Sequence, residues 1–271
     1  MQTLVHVDGA RIHYEVAGRG PVLFIAQSGE GDAGRTVDLV ARLVDRFTVV
    51  TYDRRGLSRS RPGDPAARVS VRQHADDAAA VLRQVTDGPA IMLGLSLGAA
   101  IGLHLLAAHP GAVGTLIAHE PIALRFLAPA DDAEARAQLE SVRAVHRRDG
   151  WRAAAVRVAA VLGIDPRGQE TEPGVTPFPF TEQRAANFEF FLANDLAAVL
   201  TDPLTLADIP AGARILPAVG RTSPPDGFDF RAAQALAAHL GVPAHPFPGG
   251  HNGNLTHPGA FADAVRQLAT A

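Results

Sequence analysis

Short apolar runs alternate with helical segments along most of this 271-residue chain, and this alternation limits the folds available to it more than any other feature. Runs such as "PVLFIA", "FTVVTY" and "PAIMLGL" have the length and composition of buried strands, and segments with helical spacing of apolar residues follow them. This order predicts an α/β fold, a mainly parallel sheet with helices on both faces. Alternating runs on either side of Asp8 and Gly9 predict a hairpin, so we expect the sheet to begin antiparallel.

One segment departs from this order. Between Ile122 and Leu206 the pattern is helical, with a link rich in proline and glycine but no strand. An all-helical insertion between two strands is most simply a cap over the strand ends. We therefore predict a core of residues 1–122 and 206–271 and a helical cap of residues 123–205.

The composition narrows the possible functions. Hydrophobic residues make up 47% and charged residues 20% of the chain, as in globular proteins. The net charge is −3 and all 25 basic residues are arginine, which we attribute to genomic bias, so nucleic acid is not a favoured partner. Without cysteine the chain has no disulfide, thiolate nucleophile or cysteine metal site, and no His/Asp/Glu cluster has ligand spacing on one helix. We expect no cofactor and no metal, and a small molecule as the binding partner.

The amino terminus and one long apolar stretch bear on where in the cell we expect the protein. The amino terminus lacks the basic start and apolar run of a secretory signal, which makes the cytoplasm the expected location. Between Gly88 and Arg125 the only formally charged residue is Glu120, but glycines and Pro110 interrupt this stretch. Since buried parallel strands are equally apolar, we interpret it as sheet core and expect no membrane partner.

The pentapeptide "GLSLG" lies where a buried strand ends and a helix begins, the setting of a nucleophile elbow. Such a turn strains the backbone of Ser96, and glycine at positions 94 and 98 removes side chains that would otherwise collide. The following helix directs its amino end at the serine, so the Leu97 N–H is a candidate oxyanion donor. Ser96 is therefore the candidate nucleophile.

A serine hydroxyl needs a base to take its proton, and a carboxylate to orient that base. His251, on the glycine-flanked loop "PFPGGHNG" after the last short strand, is the best placed of the eleven histidines. Two carboxylates remain open as the orienting acid. Glu120 directly follows the strand "VGTLIAH", and Asp226 lies in the loop after the next strand.

A dinucleotide-binding oxidoreductase is one rival, because Gly29, Gly31 and Gly34 form G-x-G-x-x-G after a strand, with Asp53 ending the next strand. Acidic residues inside the motif disfavour a pyrophosphate there. A second rival is a hydrolase-like binding protein with little turnover, although an intact set of serine, histidine and acid favours an enzyme.

Along nearly its whole length the chain resembles the α/β-hydrolase superfamily. The early hairpin, "YDRRGLSRS" after the fourth strand, "GLSLG", the helical insertion and "PGGH" carry this resemblance, which implies an eight-stranded, mainly parallel sheet. The family usually carries its acid near Thr222 and Ser223, where this chain has none. "AHEP" is similar to zearalenone-type lactonases, which place a glutamate after the strand that follows the elbow helix, and this likeness favours Glu120 over Asp226.

The resemblance also implies the second oxyanion donor and the reaction. By alignment of strand ends the donor is the Ser28 N–H, with Gly29 next to it, and the activity is that of a serine esterase or lactonase. Aromatic side chains of the cap are candidates for a substrate pocket, although such residues more often form a cap's own core. The pocket candidates are Trp151, Phe178, Phe188 and Phe191.

Overall fold

The structure, a computed structural model, describes residues 2–64, 67–165 and 168–270, so Pro166 and Arg167 of the predicted cap lie outside the described residues. Its sheet has the strand order β1-β2-β4-β3-β6-β7-β8-β9, with β5 paired to β2. The strands are β1 (Gln2–Val7), β2 (Ala10–Gly18), β3 (Val22–Ala26), β4 (Thr48–Tyr52), β5 (Arg61–Pro62), β6 (Ala90–Leu95), β7 (Val113–His119), β8 (Arg214–Gly220) and β9 (His245–Phe247).

Helices cover both faces of the sheet. They are α1 (Val37–Leu43), α2 (Val71–Leu82), α3 (Leu97–Ala108), α4 (Pro129–Val161), α5 (Glu182–Phe190), α6 (Leu196–Leu200), α7 (Phe228–Leu240), α8 (Gly253–Thr256) and α9 (Pro258–Thr270). One apolar core lies between the sheet and the side that carries α2, α3 and α7, and a second lies under α1 and α9. Burial on both faces explains why the central strands read as unbroken apolar runs.

The predicted hairpin and parallel sheet are both present. β1 and β2 pair antiparallel from Val7 opposite Ala10, and Gly9 at φ 68° makes the tight turn between them. From β4 to β9 every neighbouring pair is parallel. The eight-strand prediction describes the main path of the sheet, but it missed β5, a two-residue strand too short to leave a periodic signal.

Between β7 and β8 the described residues form helices and loops, in the segment for which we predict a cap. α4 contains a break at Gly150, whose φ of 80° and ψ of 177° are not helical. α5 continues into α6 through one π-helical turn, Phe191–Asp195. The helical pattern of this segment is therefore interrupted by a wider turn.

The parallel register brings the carboxyl ends of four strands to one edge. Leu95 of β6 lies opposite His119 of β7, which lies opposite Ala218 of β8, and Gly220 of β8 lies opposite Phe247 of β9. Residues that follow these strands directly must therefore meet at this edge, the usual place for a site in a parallel sheet.

Candidate active site

Ser96 lies on a strained turn between β6 and α3. Its φ of 56° and ψ of −112° are outside the regions that L-residues normally adopt. A Cβ at Gly94 would lie 2.6 Å from Ala99 Cα, and one at Gly98 would overlap the Ala26 carbonyl oxygen. Only glycine at both positions lets α3 start this close to the strands, which is the geometry of a nucleophile elbow.

Glu120 lies beside the elbow at the end of β7. The Ser96 N–H donates to the His119 carbonyl at 2.9 Å, and the Glu120 N–H donates to the Ala218 carbonyl at 3.0 Å. Glu120 also has a positive φ, 45°, and its side chain is fully buried. Backbone strain of this kind costs of the order of 1–3 kcal/mol per residue and is typical of functional sites.

The carboxylate of Glu120 holds the ring of His251. His251 Nδ1 lies 2.8 Å from Glu120 Oε2, and the Gly220 N–H donates to Glu120 Oε1 at 2.8 Å. Burial alone would raise the pKa of Glu120, but the hydrogen bond with His251 and the closeness of the His119 and His251 rings lower it to about 2. Glu120 is therefore ionised and oriented at both oxygens, as a residue that positions a catalytic histidine must be.

A second carboxylate, which the sequence prediction missed, contacts the same nitrogen. Asp229 Oδ2, in the first turn of α7, lies 2.7 Å from His251 Nδ1 and is 3% exposed. The alternative acid Asp226, three residues earlier, is exposed. The available signal was an acidic residue in the first turn of the helix that follows β8.

Ser96 and His251 are brought to the same sheet edge without a direct bond. Across residues 2–64, 67–165 and 168–270, no hydrogen bond joins Ser96 Oγ to the His251 ring. Both side chains are buried, at 3% and 6% exposure. Catalytic hydrogen bonds are often long before substrate binds, so their pairing stays a prediction.

The predicted oxyanion residues lie on either side of the elbow. Leu97 is the first residue of α3, so the helix itself offers its N–H no partner. Ser28 and Gly29 follow β3, and the close packing of Gly98 on the Ala26 and Gln27 carbonyls brings that loop against the start of α3. Their role as donors stays a prediction.

A buried polar network joins this loop to the predicted cap. Arg54 Nη2 donates to Asp195 Oδ2 at 2.6 Å and also to the Gly29 carbonyl, while His74 Nε2 lies 3.0 Å from Asp195 Oδ1. Arg54, His74 and Asp195 are at most 2% exposed. Burial would raise the pKa of Asp195, but the charges of Arg54 and His74 lower it, so the carboxylate is held ionised.

The four aromatic residues predicted to line a pocket do not form a single cluster. Trp151 stacks on Phe188 at 6.2 Å between ring centroids, and Phe188 meets Phe191 edge-on at 6.5 Å. The Phe191 ring lies 3.2 Å from the Cβ position of Gly29, beside the predicted oxyanion loop. Phe178 is 40% exposed and packs against the guanidinium groups of two arginines instead. Substrate contact by these residues stays a prediction.

The groups of the G-x-G-x-x-G segment are engaged inside the protein. Asp53 is fully buried, accepts from the Ala33 N–H at 2.9 Å and pairs with Arg59 at 2.7 Å. Glu30 accepts from Arg184 of α5 at 2.9 Å. Asp53, which would bind a ribose, therefore makes contacts inside the core. The loop that would bind a pyrophosphate contacts α5 through Glu30 instead.

One cluster offers metal-ligand atoms. Glu120, Asp229 and His251 each contribute one such atom, and these atoms lie within 4.8 Å of one another. The prediction of no metal considered ligands on a single helix, whereas these three come from separate elements. Because Nδ1 is at hydrogen-bond distance from both carboxylates, we interpret the cluster as a hydrogen-bonded charge cluster.

A cavity of about 490 Å³ reaches His251 from outside. It lies between the cap segment near Leu162 and the loops after β8 and β9, with Arg221, Thr222 and His257 in its wall. The sheet edge that carries His251 is therefore accessible from the side of the histidine loop.

Comparison with known proteins establishes the family. The family model for the alpha/beta hydrolase fold matches residues 22–161. The uncharacterized hydrolase YraK of Bacillus subtilis (strain 168) is 31% identical over 269 residues, which cover 97% of this chain and 94% of that protein. The chain therefore belongs to the α/β-hydrolase family and is a hydrolase of that fold.

Solved structures share the fold at lower identity. An esterase from Exiguobacterium antarcticum matches with a TM-score of 0.76 at 19% identity and covers 100% of both chains. An N-acyl homoserine lactone degrading enzyme matches with a TM-score of 0.69 at 21% identity, covering 98% of this chain and 99% of that one. Within the described part of the chain, no helix combines the length and apolarity needed to cross a membrane.

Proposed function

We propose that this hydrolase cleaves a carboxylic ester or lactone of a small molecule through an acyl-enzyme, with Ser96 as nucleophile, His251 as base and Glu120 as orienting acid. The observation that carries the proposal is the buried 2.8 Å contact between His251 Nδ1 and Glu120 Oε2 at the edge where the strained Ser96 lies. The expected location is the cytoplasm, and no cofactor takes part.

The chemistry needs two half-reactions. His251 takes the Ser96 proton as Oγ attacks the ester carbonyl, and the Leu97 and Ser28 N–H groups stabilise the oxyanion. The imidazolium then gives its proton to the leaving alcohol. Water, deprotonated by the same ring, hydrolyses the acyl-enzyme and regenerates the serine; in a lactone the alcohol and the acid end in one molecule.

Esterase and lactone-degrading structures among the matches support this substrate class, although at their identity they share only the fold. The burial of Glu120 supports its assignment as the orienting acid, because a solvent-exposed carboxylate at Asp226 would be screened and poorly oriented.

The test is a panel of p-nitrophenyl esters and macrocyclic lactones assayed with wild type, Ser96→Ala, Glu120→Gln and Asp226→Asn. We expect Ser96→Ala to abolish turnover while it keeps the fold, and Glu120→Gln to lower kcat by about 10²- to 10⁴-fold, since a triad without its charged acid holds the wrong tautomer. Asp226→Asn should retain activity. The reverse pattern, with Asp226→Asn crippled and Glu120→Gln intact, would contradict the acid assignment.

A covalent probe separates an enzyme from a binding protein of the same fold. A fluorophosphonate should label Ser96 rapidly in wild type and leave Ser96→Ala unlabelled. Tight retention of an ester without labelling or turnover would favour the binding protein, and retention of NADH would favour the dinucleotide alternative.

A further inference from the structure

Two buried carboxylates converge on one nitrogen atom of His251. Nδ1 lies 2.8 Å from Glu120 Oε2 and 2.7 Å from Asp229 Oδ2, and the two acids are 0% and 3% exposed. A triad needs one acid at this nitrogen, and Glu120 already fills that place with a second anchor at the Gly220 N–H. The ring has only one Nδ1 proton to offer, so Asp229 is an additional negative charge rather than a second equivalent partner.

The surroundings supply few positive charges to balance these acids. From β7, His119 lies next to Glu120, but its ring packs among Phe247 and Phe261 and is 1% exposed, and burial lowers its pKa, which favours the neutral ring. Further charged or titratable groups line the cavity that reaches His251 from outside, namely Asp165, Glu170, Arg221 and His257. The charge nearest to both buried acids is therefore the His251 ring itself.

Charge balance decides the resting state of this ring. With a neutral imidazole, two carboxylates with oxygens within 4.8 Å of each other would repel in a buried site. With an imidazolium, the cluster carries a net charge of −1 and each acid has a hydrogen-bonded or ion-paired partner. We propose that Asp229 is a positioning residue that holds His251 as an imidazolium in the free enzyme and so sets the pH at which the base becomes available.

The electrostatics agree with the geometry. Burial alone would lower the pKa of His251, but the charge and hydrogen bond of Asp229, followed by those of Glu120, raise it to about 10. Because Ser96 needs a neutral ring as its base, activity rises as the ring loses its proton, and the enzyme is alkaline-adapted. This consequence rests on the proposed role of Ser96 and His251.

The test replaces Asp229 and follows the pH profile of kcat/KM on a p-nitrophenyl ester. In Asp229→Asn the acid limb should move to lower pH by about 1–3 units, because an opposite charge at this distance shifts a pKa by about that much. Asp229→Glu, which keeps the charge, should leave the limb alkaline. Asp87→Asn removes an exposed carboxylate in the loop before β6 and should leave the limb unchanged.

A readout independent of turnover distinguishes failure of this inference from failure of the proposed function. The titration of the His251 ring, followed by NMR and assigned with His251→Gln, should show the same downward shift in Asp229→Asn even if Ser96 proves not to be the nucleophile. If Asp229→Asn does not fold, Asp229→Ser is measured in its place. An unshifted ring titration, or activity that EDTA removes from wild type, would overturn the proposal, the second by making the cluster a metal site.

Discussion

At the scale of single residues, the site depends on backbone atoms that only small residues allow to approach. The elbow is strained at Ser96, and the parallel register holds it there through the hydrogen bond from its N–H to the His119 carbonyl. Gly98 is the contact point between α3 and the loop that carries Ser28, since a Cβ at this position would overlap the Ala26 carbonyl and lie 2.9 Å from the Gln27 carbonyl oxygen. The start of α3 therefore fixes both the strained turn at Ser96 and the position of the predicted oxyanion loop.

We expect Gly98→Ala to lose both stability and activity. The added Cβ would overlap the Ala26 carbonyl oxygen, which is backbone and cannot rotate away, so α3 or the loop must move. Overpacking of this kind costs about 1–3 kcal/mol or more, and a small shift of the Leu97 N–H would weaken the oxyanion site proposed for it. Urea unfolding and ester hydrolysis measure the two effects.

Gly88→Ala is the matched control, because its Cβ would meet only Thr86 Oγ1 at 3.9 Å. It should leave both measurements close to wild type. Equal behaviour of the two variants would contradict the close approach at Gly98.

The sequence was sufficient to propose Ser96 and His251, because each lies in a local pattern of glycines between a strand and a helix. The local pattern alone left Glu120 and Asp226 open, since both follow strands at the same edge, and only the family resemblance favoured Glu120. Asp229 could not be predicted, because its side chain reaches the histidine only through the packing of α7 against β8. Such a long-range contact produces no periodic pattern in the sequence.

At the scale of elements, buried charges tie the segment predicted to be a cap to the core. Asp195, in the π-helical turn between α5 and α6, pairs with Arg54 after β4 and with His74 of α2. Arg54 also donates to the Gly29 carbonyl, so one guanidinium joins the cap to the predicted oxyanion loop. The π-helical turn could not be predicted, because helical periodicity continues through it and the buried partners of Asp195 lie far away in sequence.

We expect Asp195→Ala to destabilise the protein by about 3–5 kcal/mol, because it leaves the Arg54 guanidinium buried without its carboxylate. Since Arg54 contacts the Gly29 carbonyl, kcat for ester hydrolysis should fall as well. Chemical denaturation and steady-state kinetics measure these effects.

Asp149→Ala, which removes a carboxylate paired with Arg148 on the cap surface, is the control and should leave the unfolding midpoint unchanged. A stability loss no larger in Asp195→Ala than in this control would show that the buried network does not hold the cap.

At the scale of the whole molecule, the proposed catalytic pair Glu120 and His251 makes the stability of the fold depend on pH in both the acid and the alkaline range. Glu120 has its pKa lowered from 4.5 to about 2, mainly by its partner His251 acting against burial, so its contribution is present above pH 4.5 and is lost as pH falls toward 2. His251 has its pKa raised from 6.5 to about 10 by Asp229 and Glu120 acting against burial. Its contribution is complete below pH 6.5 and is lost as pH rises toward 10.

This linkage predicts that the pH of highest activity and the pH of highest stability differ. The folded protein binds a proton at His251 more tightly than the unfolded chain does, so unfolding releases that proton between pH 6.5 and about 10. The difference in unfolding free energy between wild type and His251→Gln should therefore shrink steadily across this range in calorimetry or denaturant titration, while titrating groups that do not contact His251 cancel between the two proteins. A difference that stays constant would mean that the His251 ring is uncharged in the folded state. The base would then be available at neutral pH in the free enzyme.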